Sequence, residues 1–277
     1  MEIKDLIDSA EIRYRKELEN FFTSVWGETR LYSHDIHHHR RVWQYAKEIL
    51  SLYSESDDEA YRVEPEKLLI ASYIHDLGMV SEPGFKHGSA SGELCRRFLE
   101  DRNFSPEGFD DVLDAIEHHD EKDYTKTVHS NNSILKILAA ADDLDAFGYA
   151  GIYRYLEIYI TRGISPGNIG HEIRKNAGAR FRNFAACFRK YSAFYCKHRE
   201  RYNILDSFMS EYNMHLERSL IIDKGENLQH QIVNMIYRMV DGKINPSGIN
   251  ELCGETAISP GIRDFFDRLY NELNHNQ

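Results

Sequence analysis

The chain has 277 residues, 42% of them hydrophobic and 29% charged, a balance that excludes intrinsic disorder and collagen-like repeats. It allows one large domain or one domain with an appendage. With 34 Lys and Arg against 45 Asp and Glu, the formal net charge of -11 disfavours non-specific attraction to nucleic acid or an anionic membrane. Cys95, Cys187, Cys196 and Cys253 form no C-x-x-C pair and are too sparse for a disulfide framework. The charged N-terminal segment lacks the apolar run of a signal peptide, and no stretch approaches the ~18 apolar residues of a membrane span. A cytoplasmic protein with no nucleic-acid or membrane partner is expected.

Taken in chain order, the apolar residues recur at helical spacing rather than alternating, so the chain reads as all-α. Ile3, Leu6, Ile7, Ala10, Tyr14, Leu18, Phe21, Phe22 and Val25 lie near one stripe of a first helix, from Ile3 to Trp26, that Gly27 ends. A second helix starts near Ser33 or Asp35, either of which could cap it, and carries Val42, Ala46, Ile49, Leu50 and Tyr53 on one face. Pro65 opens a third helix that reaches His75 and Asp76 before Gly78 closes it. Further helices are predicted from Ser89 to Arg102, from Pro106 (capped by Ser105) to His119, and from Asn132 to Phe147. After Gly148 come YAGIYRYLEIYI, one long helical stretch from His171 to Tyr212, and a final pair over Asn227–Val240 and Ser259–Leu273. The division expected is a helical core over residues 1–222 and a C-terminal helical extension over 223–277.

Of the 14 histidines, eight fall between His34 and His119, and helical geometry says where several of them point. His38 lies four residues before Val42, on the buried stripe. His75 and Asp76 each follow an apolar residue, Leu68 and Leu69, by seven. Asp142 continues the line of Leu135 and Leu138, whereas Asp143 is rotated about 100° away. His119 continues the line of Val112, Ala115 and Ile116, with His118 one step off it. His87 stands four residues before Ser91, on the face of Cys95 and Phe98. Buried carboxylates and imidazoles are costly unless paired or metal-bound, so five segments aiming His or Asp inward point to a shared metal centre. Imidazole with carboxylate and no thiolate suits Mn, Fe, Ni, Zn or Mg, one or two ions per chain.

His38 in H-H-R-R-V, His75-Asp76 in Y-I-H-D-L-G and Asp142 in A-A-A-D-D-L-D resemble, in that order, the HD-domain superfamily of metal-dependent phosphohydrolases. The likeness covers residues 30–150 and extends more loosely to about residue 215. It implies an all-α HD-domain bundle with additional C-terminal helices, in which His38, His75, Asp76 and Asp142 hold a divalent metal. His87 in K-H-G-S-A and His118-His119 in A-I-E-H-H-D resemble the extra ligands of two-metal members. The spacing leaves open which histidine of that pair corresponds, while helical direction favours His119. In such a site Asp76 bridges the metals, and a metal-activated water attacks phosphorus.

Two departures shape the expectation. Met79 stands where many two-metal members have a phosphate-binding Lys, which leaves Lys86, beside His87, and Arg41, three residues after His38, as candidate phosphate contacts at the catalytic site. No G-Y-P triplet follows H-H-D, which argues against a cyclic-di-GMP phosphodiesterase. His37 and His39 flank His38 and point elsewhere, toward solvent or behind a ligand. Asp145, three after Asp142, either holds a ligand histidine or is a satisfied polar residue. The function expected is hydrolysis of a phosphoester or phosphoanhydride in a small nucleotide-like substrate. The alternatives are a mixed-valent diiron oxygenase of the same ligand order and a catalytically silent HD regulatory module. A homodimer through the C-terminal helices is a further expectation.

Overall fold

Local signals start several of the helices where the sequence places them. In the computed structural model, which describes residues 2–54, 63–82, 87–104, 106–120, 131–219, 227–246 and 259–274, α1 spans Ile3–Trp26. Its first turn is closed by a reciprocal cap in which the Glu2 amide donates to Asp5 Oδ2 at 3.2 Å. α2 spans Ile36–Ser54, and Asp35, not Ser33, caps it: Asp35 Oδ1 accepts from the amides of His37 and His38 at 3.0 and 3.4 Å. α3 spans Pro65–Ile74 with proline in the first turn, where a missing N–H costs nothing. Lys86, Ser105 and Cys253 lie outside the described residues.

Eleven α-helices and no strand occur among the described residues, and they group into two compact units. The first comprises Met1–Thr29 with His34–Leu144. Here α1, α2 and α3 pack against one another, and α3 is buried on every side from Leu68 to Ile74, as befits an element that is apolar all round. Glu19 of α1 ties the three together, accepting from Arg40 of α2 at 2.9 Å and from the Tyr73 hydroxyl of α3 at 3.3 Å. α4 (His87–Glu100) and α5 (Asp110–His118) pack on each other and on α3. Asn132 caps α6 (Ser133–Asp145) by accepting from the Leu135 amide at 3.1 Å.

The second unit comprises Arg30–Ser33 and Asp145–Gln277. It contains α7 (Gly148–Thr161), α8 (Pro166–Phe188), α9 (Ser192–Ser219), α10 (Leu228–Gly242) and α11 (Pro260–Asn274). α9, α10 and α11 all pack on α7, the most apolar of the five. The continuous helix predicted over 171–212 is in fact two, broken at residues 189–191. Folding back lets the aromatics of one half cover those of the other: Phe181 and Tyr202 stack with ring centroids 4.1 Å apart and planes 6° from parallel. The break therefore buries an apolar face that a single helix would leave open. Arg154, midway along α7, pairs with Asp145 at 3.1 Å, both buried. Buried Glu157 accepts from the amides of Tyr32 and Ser33 at 3.2 and 2.5 Å and from the Tyr153 hydroxyl at 2.8 Å. No described helix is long and apolar enough to cross a membrane.

Candidate metal centre

The carboxylate of Asp76 stands at the centre of the first unit's buried polar residues. α3 ends at Ile74, so His75 and Asp76 leave its last turn where the chain tightens into the 3-10 turn Leu77–Val80. Gly78 makes this possible, because a Cβ there would collide with the His87 carbonyl oxygen. The Gly78 amide instead donates to Ser91 Oγ at 2.8 Å, pinning the turn to α4. Gly88 does the same for α4 against α5, since a Cβ at this position would lie 2.5 Å from the Glu117 carbonyl oxygen. The two close approaches bring His87 and His119 to Asp76.

Two groups of ligand-type side chains result, His38, His75, Asp76 and Asp142 in one and Asp76, His87 and His119 in the other, each with its donor atoms within 4.8 Å of one another. All six residues are buried. Asp76 belongs to both groups through different oxygens. Its Oδ2 lies 3.2 Å from His38 Nε2 and 3.3 Å from His75 Nε2, and its Oδ1 lies 3.2 Å from His87 Nε2 and 2.9 Å from His119 Nε2. Asp142 Oδ1 lies 3.7 Å from His38 Nε2.

The donor set fits a divalent cation, and the backbone shows why. His75 Nδ1 donates to the Ser72 carbonyl at 3.0 Å and His119 Nδ1 to the Ile116 carbonyl at 2.7 Å. A carbonyl oxygen only accepts, so each Nδ1 bears the hydrogen and each neutral ring turns its Nε2 lone pair to the centre. There the nitrogens crowd: His38 and His75 Nε2 are 3.2 Å apart, His87 and His119 Nε2 3.3 Å. The Nε2 lone pairs of His75 and His119, beside a carboxylate and out of water, suit a shared positive charge. With no cation present the same Nε2 atoms could meet Asp76 only when protonated, and in that state the charge of His75 and the bonds from His119 and His38 outweigh burial and hold the Asp76 carboxyl well below the usual carboxylate range. Cys95, the buried thiol of α4, belongs to neither group, and burial pushes it up to about 12.

The remaining expected site residues divide. His118 is in neither group: its ring lies beside Asp114, with Nδ1 2.9 Å from the Asp114 carbonyl, and its side chain is 44% exposed. It sits one residue off the buried stripe, and the two-histidine alternative is thereby corrected to His119 alone. Arg41 is 2% exposed, inside the first unit, and so is not a surface cation. Asp145 pairs with Arg154 at 3.1 Å.

Two histidines are closer to the centre than the sequence indicates. His34 Nε2 lies 3.6 Å from Asp76 Oδ2, and His34 closes the 3-10 turn Tyr32–His34 that precedes α2. Its position four residues before His38 is the signal that could have found it. His39 is wholly buried, with no periodicity to announce it, because α2 is covered by α1 on that side and by α3 on the other.

Residues 35–146 match the family model described as HD domain, and all six residues of the two groups fall within that span. That segment is similar to HD domains, whose superfamily is typically one of metal-dependent hydrolases. No curated protein and no solved structure matches the chain.

Proposed function

We propose that the protein is a metal-dependent phosphohydrolase that cleaves a phosphoester or phosphoanhydride bond in a small nucleotide-like substrate. The observation that carries this reading is the split carboxylate of Asp76, one oxygen toward His38 and His75 and the other toward His87 and His119. His38, His75, Asp76 and Asp142 would hold one divalent cation, and Asp76, His87 and His119 a second. Bound there, such cations supply Lewis acidity toward a phosphoryl oxygen and make water a nucleophile near neutral pH.

The chain's own contribution is orientation, charge and exclusion of water. The carbonyls of Ser72 and Ile116 fix the rings of His75 and His119 in the tautomer that leaves Nε2 open. The two groups contain only two carboxylates, Asp76 and Asp142, so they leave a pair of divalent cations with a positive excess that complements an anionic phosphoryl group. We assign the further substrate contact to Lys86, which directly precedes His87, as the basic side chain for the phosphate.

The test is elemental analysis of protein purified without chelators, followed by phosphate release from nucleoside mono-, di- and triphosphates and a nitrophenyl phosphate. Two equivalents of metal and release that Asp76→Asn abolishes are expected. Metal-loaded protein that consumes dioxygen and releases no phosphate from any of these would overturn the hydrolase reading.

A further inference from the structure

We infer that His39 is a positioning residue of the metal centre, holding the ring of its neighbour ligand His75 through a carbonyl oxygen that the two histidines share. The inference rests on the reading that the first group binds a divalent cation. His39 Nδ1 lies 3.2 Å from the Ser72 carbonyl oxygen, and His75 Nδ1 lies 3.0 Å from the same atom. Ser72 is in the last turn of α3, where helix carbonyls lack in-helix partners and have two lone pairs to offer. Both imidazoles therefore present an N–H to one oxygen, one from α2 and one from the end of α3.

The surroundings leave His39 little freedom. It is wholly buried, and its ring centroid is 4.8 Å from that of Phe22, 5.1 Å from His38 and 5.0 Å from His75. Its Nε2 is buried with no hydrogen-bond partner. A neutral ring whose hydrogen is on Nδ1 leaves an unpaired acceptor there, a smaller loss than an unpaired charge. A phenylalanine would suit the packing against Phe22 equally well, so the feature that calls for histidine is the bond to Ser72. That bond locks the Ser72 carbonyl and ties α2, which carries His38, to the turn that carries His75 and Asp76. Positions that orient a metal-binding histidine in this way commonly affect metal affinity by about 10–100-fold.

Two substitutions separate the donor from the ring. His39→Phe keeps the bulk and removes the N–H; His39→Asn loses bulk but places an amide N–H near the Nδ1 position. Cobalt(II) titration followed by its visible absorption bands reads affinity and ligand geometry without any substrate. We expect His39→Phe to weaken cobalt binding by about tenfold or more and to shift the bands, and His39→Asn to recover most of the affinity with bands close to wild type. If His39→Phe binds as wild type does, or His39→Asn is the weaker of the two, the positioning role is overturned and the ring only fills space. Should His39→Phe fail to fold, His39→Asn decides alone: near-wild-type binding supports the role and its loss overturns it. A wild-type protein that binds neither cobalt nor manganese overturns the metal reading itself, a result distinct from any difference between variants.

Discussion

His119 Nε2 stands 2.9 Å from Asp76 Oδ1, and the opposite nitrogen of its ring is committed to the Ile116 carbonyl. The adjacent His118 faces Asp114 instead. Two consecutive histidines thus have opposite expected phenotypes. His119→Ala should reduce metal content from two ions to one per chain and lower phosphate release by at least about 100-fold, the scale of losing a group that acts on the reacting centre. His118→Ala should leave both within a factor of about two, as surface substitutions do. Elemental analysis and a phosphate assay on the pair check both statements. Equal effects of the two substitutions would refute the assignment of His119 alone.

The close approach of α4 to α5 makes Gly88 sensitive to a single methyl group. An added Cβ would lie 2.5 Å from a backbone oxygen of Glu117, which cannot swing aside as a flexible side chain would. Gly88→Ala should therefore cost about 1–3 kcal/mol in urea denaturation, the usual range for an overpacked interior. It should also weaken the site of His87 and His119 more than that of His38 and Asp142, which a two-phase cobalt titration would reveal. A variant of wild-type stability and affinity would mean that the helices separate freely.

Acid sensitivity should reside in part in α9. Burial, helped by Arg201 and Lys197, pushes the His198 imidazole down to about 2. In the unfolded chain it titrates near its ordinary value of about 6.5. Between those values the unfolded state binds a proton that the folded state does not, so the stability is complete above about pH 6.5 and falls as the pH falls. His198→Phe, matched to the neighbouring rings of Phe184 and Phe194, removes this dependence. From about pH 5.5 to 4.5 the wild type should lose about 1 kcal/mol more than the variant. Parallel stability curves would contradict the buried, neutral ring.

Arg154 and Asp145 form a pair that should be easier to replace than to break. Arg154→Met leaves the wholly buried Asp145 carboxylate without its 3.1 Å cation and should destabilise the protein by about 3–5 kcal/mol. Adding Asp145→Leu should restore much of that, because the charge that burial penalises is then gone. Denaturation of the two single variants and the double variant closes the cycle. A double variant no better than Arg154→Met would show that the pair is not the source of the loss.

The helices and most of the centre were legible in the sequence because both obey a period. His38, His75, Asp76, His119 and Asp142 extend apolar stripes by whole turns, and Asp35, Pro65 and Gly27 mark ends that coincide with those observed. The break at residues 189–191 was not legible, since nothing local stops the helix: Arg189, Lys190 and Tyr191 are all tolerated in one. It arises from aromatic faces that bury each other only when the chain turns back. The sequence leaves His39 between solvent and a place behind a ligand for a related reason, as a residue 100° from a stripe reads as solvated unless a second helix is known to cover that side. His34 lies just before the helix begins, and its signal is the four-residue spacing to His38.

Residues 30–33 belong to the second unit although residues of the first flank them on both sides. The chain thus visits the second unit before the HD segment starts at residue 35 and returns to it after Leu144. A gene fragment cut after Leu144 would strip the Tyr32 and Ser33 amides of their acceptor. A fragment beginning at Asp145 would leave Glu157 buried without the two amides that stabilise it. The segment matched to the HD domain is therefore not an interchangeable cassette in this protein: recombination that moved it alone would sever the loop that leads into the first helix of the candidate centre.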